Sequence, residues 1–361
     1  MEIGIVGLAN VGKSTLFNAL TKANVPALNY PFCTIEPNVG VVIIPDKRLL
    51  QVAEIVEPEK VTGAVIRFVD IAGLVKGASR GEGLGNKFLS HIREVDAIMH
   101  VVRGFSDPNV AKVGNGDLNP IADIETVETE LMLADLQTLE NRIEKTNRLL
   151  KTGDRKYKDE LEVLNRAYEI LNEGDFHLLN SFDLPNDLPL LSNKPVLYVL
   201  NVDEAALLNR EMIKDMLTQV ENMAAERNKD ILVISASLEY ELSSLPLDEA
   251  QEFMLELGIE ESGLTKIINA GIELLDLVTF YTIKGPETRG WLVPRGTIAP
   301  KAAGKIHSDM ERGFIKAEVI SAAELVTYGS FSKAKEQGVL RLEGKDYQIQ
   351  DGDVVLFHFN V

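Results

Sequence analysis

Apolar residues follow two rhythms along this 361-residue chain. Short apolar runs bounded by turn residues recur at Ile3-Gly4-Ile5-Val6, Ile66-Arg67-Phe68-Val69, Ala97-Ile98-Met99-His100-Val101-Val102, Pro195-Val196-Leu197-Tyr198-Val199-Leu200 and Ile231-Leu232-Val233-Ile234. These read as strands, and segments of helical period lie between them, the first carrying Leu16, Phe17 and Leu20 on one side. Strands alternating with helices predict an α/β fold on a mostly parallel sheet.

Two stretches break the alternation. Between the strands at Ala97 and Pro195 lies more chain than one crossover helix needs. There Ile124, Val127, Leu131, Ala134, Leu139 and Ile143 share one helical face, and Tyr157, Leu161, Leu164, Tyr168 and Leu171 repeat in steps of four and three. Two long helices joined near Lys151-Thr152-Gly153-Asp154 predict an inserted antiparallel α-helical coiled coil. After Leu277 the pattern becomes β-rich, with Val278-Thr279-Phe280-Tyr281-Thr282 and Val354-Val355-Leu356-Phe357-His358-Phe359, the latter preceded by the turn Asp351-Gly352-Asp353. The expected domains are a nucleotide-binding domain over 1–124 plus 196–277, the helical insertion over 125–195, and a C-terminal domain over 278–361.

The first strand runs into Gly7-Leu8-Ala9-Asn10-Val11-Gly12-Lys13-Ser14-Thr15, the G-x-x-x-x-G-K-[ST] spacing of a phosphate-binding P-loop. Its glycines let the backbone N–H groups turn toward phosphate, Lys13 reaches the β- and γ-oxygens, and Ser14 ligates Mg²⁺. The following helix points its positive end at the same anion. Asp70-Ile71-Ala72-Gly73 then has the D-x-x-G form of a switch loop, with Asp70 holding Mg²⁺ through water and the Gly73 N–H sensing the γ-phosphate. Thr34, in the intervening Tyr30-Pro31-Phe32-Cys33-Thr34 segment, is the expected second metal ligand. Lys13, Asp70 and Gly73 are the expected catalytic set.

Asn201-Val202-Asp203-Glu204 stands where GTPases of this layout carry N-K-x-D. A guanine-reading Asp accepts from N1–H and the 2-amino group, and adenine has neither donor. Here Val202 replaces the Lys that covers the base, and Glu204 replaces the Asp, so adenine is expected to be preferred. Asn201 is placed to bond N7 or the 6-amino group, and Ser235-Ala236-Ser237 supplies the last base loop. The full nucleotide-contacting set expected is Asn10, Val11, Gly12, Lys13, Ser14, Thr15, Phe105, Asn201, Val202, Glu204, Ser235, Ala236 and Ser237.

Composition narrows the setting. The formal charge of −18 divides into −19 for residues 1–277 and +1 for 278–361. The larger part should repel nucleic acid, and the near-neutral tail can gather Arg289, Arg295, Lys301, Lys305, Arg312 and Lys316 onto one region. A single cysteine, Cys33, forms no internal disulfide, which points to a reducing cytoplasm. No apolar run approaches the length of a membrane span.

These motifs, with Asn29-Tyr30-Pro31-Phe32-Cys33-Thr34-Ile35-Glu36-Pro37-Asn38, Leu74-Val75-Lys76-Gly77-Ala78-Ser79, Gly81-Glu82-Gly83-Leu84-Gly85-Asn86 and Ala303-Gly304-Lys305-Ile306-His307-Ser308-Asp309, resemble the YchF family of Obg-like ATPases. The resemblance covers essentially the whole chain. It implies a P-loop NTPase G-domain, a coiled-coil insertion and a C-terminal β-grasp TGS domain. It also implies slow ATP hydrolysis and association with ribosomes at the large subunit or the intersubunit region, with RNA contact through the TGS domain. Ala9 departs from the family's usual Pro, and Lys112 stands where several relatives carry a histidine considered for catalysis. Leu74 follows D-x-x-G where Ras-like GTPases place a water-orienting glutamine. Turnover should therefore be slow or assisted by backbone groups of the Gly77 to Gly85 segment, a partner, or K⁺ near Asn10. GTP as the true ligand and a mainly structural nucleotide are the alternatives.

Overall fold

The computed structural model describes residues 1–23, 38–73, 84–106, 118–150, 154–185, 187–283 and 285–360. The chain divides into two compact units, one formed by Met1–Gly40 with Arg67–Ile267 and the other by Val41–Ile66 with Ile268–Val361. It passes from the first to the second inside β2 (Val39–Ile43), builds α2 (Lys47–Val56) and β3 (Lys60–Thr62), and returns inside β4 (Val65–Asp70).

In the first unit, β1 (Glu2–Val6) leads through the P-loop to α1 (Lys13–Lys22). After β4 come α3 (Leu84–Glu94), β5 (Ala97–Arg103), α4 (Pro120–Leu150) and α5 (Arg155–Glu173). Then follow β6 (Val196–Asn201), α6 (Glu204–Leu208), α7 (Lys214–Glu226), β7 (Asp230–Ile234), α8 (Ala236–Leu242), α9 (Leu247–Glu256) and α10 (Gly263–Leu274). The sheet order is β2-β4-β1-β5-β6-β7. Pairing is parallel from β4 through β7, as the buried, continuous apolar runs predict. With β1 flanked by β4 and β5, the loops after the carboxyl ends of these strands share one edge, where parallel α/β sheets bind ligands.

The two long helices form as expected, but α4 is one continuous helix from Pro120, so the boundary expected at 124/125 falls inside it. Its first turns belong to the sheet: Ile124 packs with Tyr198, Leu200 and Val220. Its later turns pack on α5, where Leu139 joins Leu164, Ala167 and Leu171. Arg142 bonds Glu160, and Tyr168 donates to Glu140, so the pairing runs antiparallel. Asp135, fully buried in α4, accepts the Leu191 and Ser192 N–H groups at 2.8 Å and anchors the chain that returns to β6.

The second unit holds β8 (Leu277–Thr282), β9 (Glu287–Pro294), α11 (Ala299–Ile306), α12 (Ser308–Arg312), β10 (Phe314–Ser321), α13 (Ala322–Tyr328), α14 (Phe331–Glu336), β11 (Arg341–Glu343) and β12 (Asp353–Phe359). Its sheet runs β11-β10-β12-β8-β9-β3. The last strand lies parallel beside the first, with antiparallel neighbours outside both, which is the β-grasp arrangement. Alternate residues supply two faces: Phe280, Val319 and Val355 meet Ala302 and Ala303 of α11, whereas Tyr281, Ile320 and Val354 meet Leu49 and Val52 of α2 and Leu325 of α13. Residues 41–66, expected with the nucleotide site, thus supply this unit with a helix for one face and with β3, which pairs parallel to β9.

Candidate nucleotide site

Every described element of the expected site lies at the carboxyl edge of the first sheet. The P-loop follows β1, Asp70 ends β4, Phe105 follows β5, Asn201 ends β6, and Ser235 follows β7. The P-loop turns through Asn10 and Gly12, whose φ angles of 63° and 98° are left-handed. Gly12 precedes α1 and offers no side chain to cap it, which leaves the first N–H groups of the helix available to an anion. Asn10, Ser14 and Thr15 are exposed, while Val11 is buried beneath the loop.

Lys13 is only 7% exposed, and its Nζ donates to the Leu8 carbonyl at 2.6 Å. Burial pulls its pKa down, and the Asp70 carboxylate pulls it part of the way back. Ser14 Oγ donates to Asp70 Oδ2 at 3.0 Å, so the two expected metal-site groups are already together. Gly73 lies against the same loop. A Cβ on it would stand 2.9 Å from Lys13 Nζ and 3.3 Å from the Ala9 backbone nitrogen.

Among the described residues, no group of three or more His, Cys, Asp and Glu is arranged to hold a metal ion. Ser14 and Asp70 instead offer two oxygen donors beside a phosphate cradle. That set fits Mg²⁺, which keeps several waters and takes its other ligands from phosphate, and does not fit an all-protein metal cage.

At the base end, Asn201 proves to be a latch. Its Nδ2 donates to the Val11 carbonyl at 2.9 Å, and its Oδ1 accepts the Ala236 N–H at 2.9 Å, so it joins β6, the P-loop and the start of α8. The Ala236 N–H expected for the base loop is therefore used within the protein. Ser235 is fully buried as the cap of α8, and Ser237 is exposed. Val202 does not line an open base plane: it is 2% exposed and packs with Ile124, Leu200 and Ala206. Asp203 caps α6 by accepting the Ala206 N–H at 2.8 Å, leaving Glu204 exposed in the first helical turn. Phe105 is half-buried, with the Arg103 guanidinium 4.8 Å from its ring centre.

Thr34, Leu74, Lys112 and residues 77–83 lie outside the described residues. His100, inside the apolar run of β5, is 2% exposed beside the Tyr198 ring, and its pKa falls to about 3, chiefly through burial and further through Lys13 and Arg227. Sequence reasoning missed the polar network beside it. Glu128 of α4 accepts from the Tyr198 hydroxyl and from Arg227, tying the root of the long helix to β6 and to the chain following α7. Tyr and Arg in those positions give no signal along the sequence, because their partner lies 70 and 99 residues away.

Comparison with known proteins decides the lineage. The chain is 48% identical over 366 residues to the Bacillus subtilis (strain 168) protein named ribosome-binding ATPase YchF, with 100% of each covered. This chain belongs to the YchF family. The Escherichia coli O157:H7 relative of the same name is 49% identical, with 100% of this chain and 99% of that protein covered. A family model described as 50S ribosome-binding GTPase matches residues 2–165, and the YchF GTPase C-terminal model, described as a protein of unknown function, matches 277–360. Among solved structures, the Schizosaccharomyces pombe YchF GTPase is similar with a TM-score of 0.87 and 34% identity, over 99% of this chain and 97% of that one. A GTP-binding protein from Pyrococcus horikoshii OT3, 23% identical with a TM-score of 0.62, shares the fold over 100% of each chain.

Proposed function

We propose that this YchF-family chain is a Mg²⁺-dependent ATPase of slow turnover that acts as a nucleotide switch on ribosomes in the cytoplasm. The preference for adenine rests on the base end of the site. Asp203 is committed to capping α6, Glu204 is exposed, and Val202 is turned into the core. A guanine-selective site needs a carboxylate held in a desolvated pocket, where a missing partner is costly, and an exposed glutamate does not meet that need. The relatives named as ATPases support the same reading. "GTPase" and "GTP-binding" in the names of the two similar structures belong to those proteins. Competition between ATP and GTP by isothermal titration tests the assignment, and GTP binding at least as tightly as ATP would overturn it.

Lys13 and the open amides of α1 hold and orient the phosphates, and Gly73, which lies against Lys13 and Ala9, is proposed to sense the γ-phosphate through its N–H. Ser14 and, through water, Asp70 would hold Mg²⁺, whose charge would offset that of the phosphate oxygens. Thr34 is proposed as the second metal ligand. Asn10, exposed at the turn of the P-loop, is proposed to help hold K⁺ beside the phosphates; unchanged turnover when Na⁺ replaces K⁺ would remove that ion from the mechanism.

The second unit is proposed as a TGS domain that contacts ribosomal RNA, and the α4–α5 pair as a coiled-coil arm. The family model described as 50S ribosome-binding supports the large subunit or its intersubunit region as the docking place. Of the cations expected to gather on the second unit, Lys301 pairs with Glu311, Arg312 with Asp309, and Arg295 with Asp276. Lys305 and Lys316 are exposed and are the better candidates for phosphate contact. Lys305→Glu with Lys316→Glu should weaken ribosome co-sedimentation more at low salt than at high salt, because each phosphate contact releases counterions.

A further inference from the structure

Helix α9 has no fully buried residue over its ten positions, a feature shared only by the five-residue α12 among the helices whose burial is described throughout. Its middle apolar positions, Ala250, Phe253 and Met254, are half-buried at helical spacing. Leu247 and Leu255 remain 81% and 80% exposed, the highest values among the described large apolar side chains. With Gln251 between them they occupy i, i+4 and i+8, so the two leucines stand on one outward stripe about 12 Å apart. Asp248, Glu252 and Glu256 line the adjacent stripe.

The segment itself carries one sign of charge, and Lys22, which bonds Ser244 and lies over the Tyr240 ring, approaches it from α1. Eight carboxylates lie between Glu239 and Glu261, and no Lys or Arg occurs between Lys229 and Lys266. Glu239 is used internally: it accepts the Gly263 and Leu264 N–H groups at 2.7 and 3.2 Å, which closes the base of the 240–262 excursion and holds α9 in place. Beyond the end of α9, a cleft of about 410 Å³ continues the surface, with Leu207, Leu257 and Ile259 in its walls, Glu260 at its rim, and Arg210 and Lys266 the cations on it.

We propose that this face of α9 docks a basic, amphipathic polypeptide segment, whose apolar side chains cover Leu247 and Leu255 while its Lys or Arg residues meet Asp248, Glu252 and Glu256. The apolar stripe supplies an anchor, and the acidic rim supplies sign and register. The same rim opposes phosphate, so neither RNA nor an anionic membrane surface fits here. The inference is independent of which nucleotide the P-loop binds, and it assigns the molecule a protein-facing surface separate from the RNA-facing one proposed for the second unit.

The test uses the full chain and a labelled synthetic Leu/Lys peptide of amphipathic helical pattern, with a scrambled peptide of the same composition and poly(U) as comparisons, read by fluorescence anisotropy near physiological salt. The amphipathic peptide should bind about tenfold more tightly than the scrambled one, and Leu247→Ser with Leu255→Ser should remove that advantage. Asp248→Lys with Glu252→Lys, which keeps both leucines, should weaken the same binding by a similar factor, so that misfolding of one variant leaves the other decisive. Equal binding of the scrambled peptide, unchanged binding by both variants, or direct binding of labelled poly(U) that the serine variant removes would overturn the proposal. So would sedimentation showing a dimer that the serine variant dissolves, because the occupant would then be a second copy.

Discussion

The Nδ2 atom of Asn201 sits so close to Gly12 that a methyl group on that glycine would overlap it, and from there it donates to the Val11 carbonyl at 2.9 Å. Two constraints therefore meet at Gly12. Its φ of 98° disfavours a side chain, and the space a Cβ would need is filled by the group that holds the loop. The second glycine of the P-loop is thus set by packing against a strand end, apart from any approach of phosphate.

Gly12→Ala should displace Asn201 and lower ATP affinity by more than about tenfold, with the protein still folded. Asn201→Ala should also lower thermal stability, since it leaves the buried Val11 carbonyl and Ala236 N–H without their partner, a loss of about 1–3 kcal/mol per group. Calorimetric unfolding with and without ATP measures both effects. An unchanged melting temperature for Asn201→Ala would remove the latch from the account.

At the opposite end of the phosphate cradle, Gly73→Ala places a carbon 2.9 Å from Lys13 Nζ. With Lys13 proposed to reach the β- and γ-phosphates, ATP affinity should fall by about tenfold while ADP affinity changes by less than about threefold. Lys13→Ala should weaken both nucleotides, and Ser14→Ala should weaken binding more in the presence of Mg²⁺ than in its absence. Fluorescent-nucleotide titrations separate these patterns, and equal losses of ATP and ADP in Gly73→Ala would count against a γ-phosphate role.

His100 makes stability depend on acid. Its pKa is lowered from 6.5 to about 3 in the fold, chiefly by burial, so the unfolded chain binds the proton first. Its contribution is fully present above about pH 6.5 and declines as pH falls toward 3, with a slope of up to about 1.4 kcal/mol per pH unit. Urea unfolding of His100→Phe should show a shallower loss between pH 6.5 and 4.5 than the unmutated protein. Parallel pH profiles would show that the histidine is not the titrating group.

The parts of the site that were legible in sequence are those in which one local segment carries the whole device. Gly7 to Thr15 fixes strand, turn and helix within a few residues, and Asp70 marks its place at the strand end by closing an apolar run. What was not legible depends on distant partners. The amide of Asn201 is taken up by Val11 and Ala236, 190 and 35 residues away, so a residue expected to reach the purine is first a structural tie. Val202 was read for the lysine it replaces, whereas its own short apolar side chain follows β6 into the core. The α4–α5 periodicity predicted a coiled-coil pair, but Ile124 obeys the same spacing while packing with Tyr198 and Leu200 in the sheet-side cluster, because periodicity gives the buried face and not the partner. Lys60-Val61-Thr62 is too short to stand out as a strand, and only its pairing with Glu287, Thr288 and Arg289 makes it one.

That distant pairing changes what removal of the C-terminal segment would do. A chain ending at Leu275 would retain α2 but lose Tyr281, Ile320, Leu325 and Val354, which cover Leu49 and Val52. Arg48 would also lose Asp351, its partner at 2.6 Å, and Asp46 would lose the Tyr281 hydroxyl. The exposed apolar face of α2 and the unpartnered edge of β3 should drive association. The truncated chain should therefore sediment as aggregates, and a failure of that chain to bind ribosomes would say nothing about docking. A point change separates the two causes. Leu325→Ala, buried against α2, should destabilise the second unit by about 2–5 kcal/mol without altering its surface charge. If Leu325→Ala lowers the unfolding midpoint while the truncated chain, freshly purified, remains monomeric with full ATP affinity, then residues 41–66 do not need the C-terminal strands, and the interleaved unit is not a folding requirement.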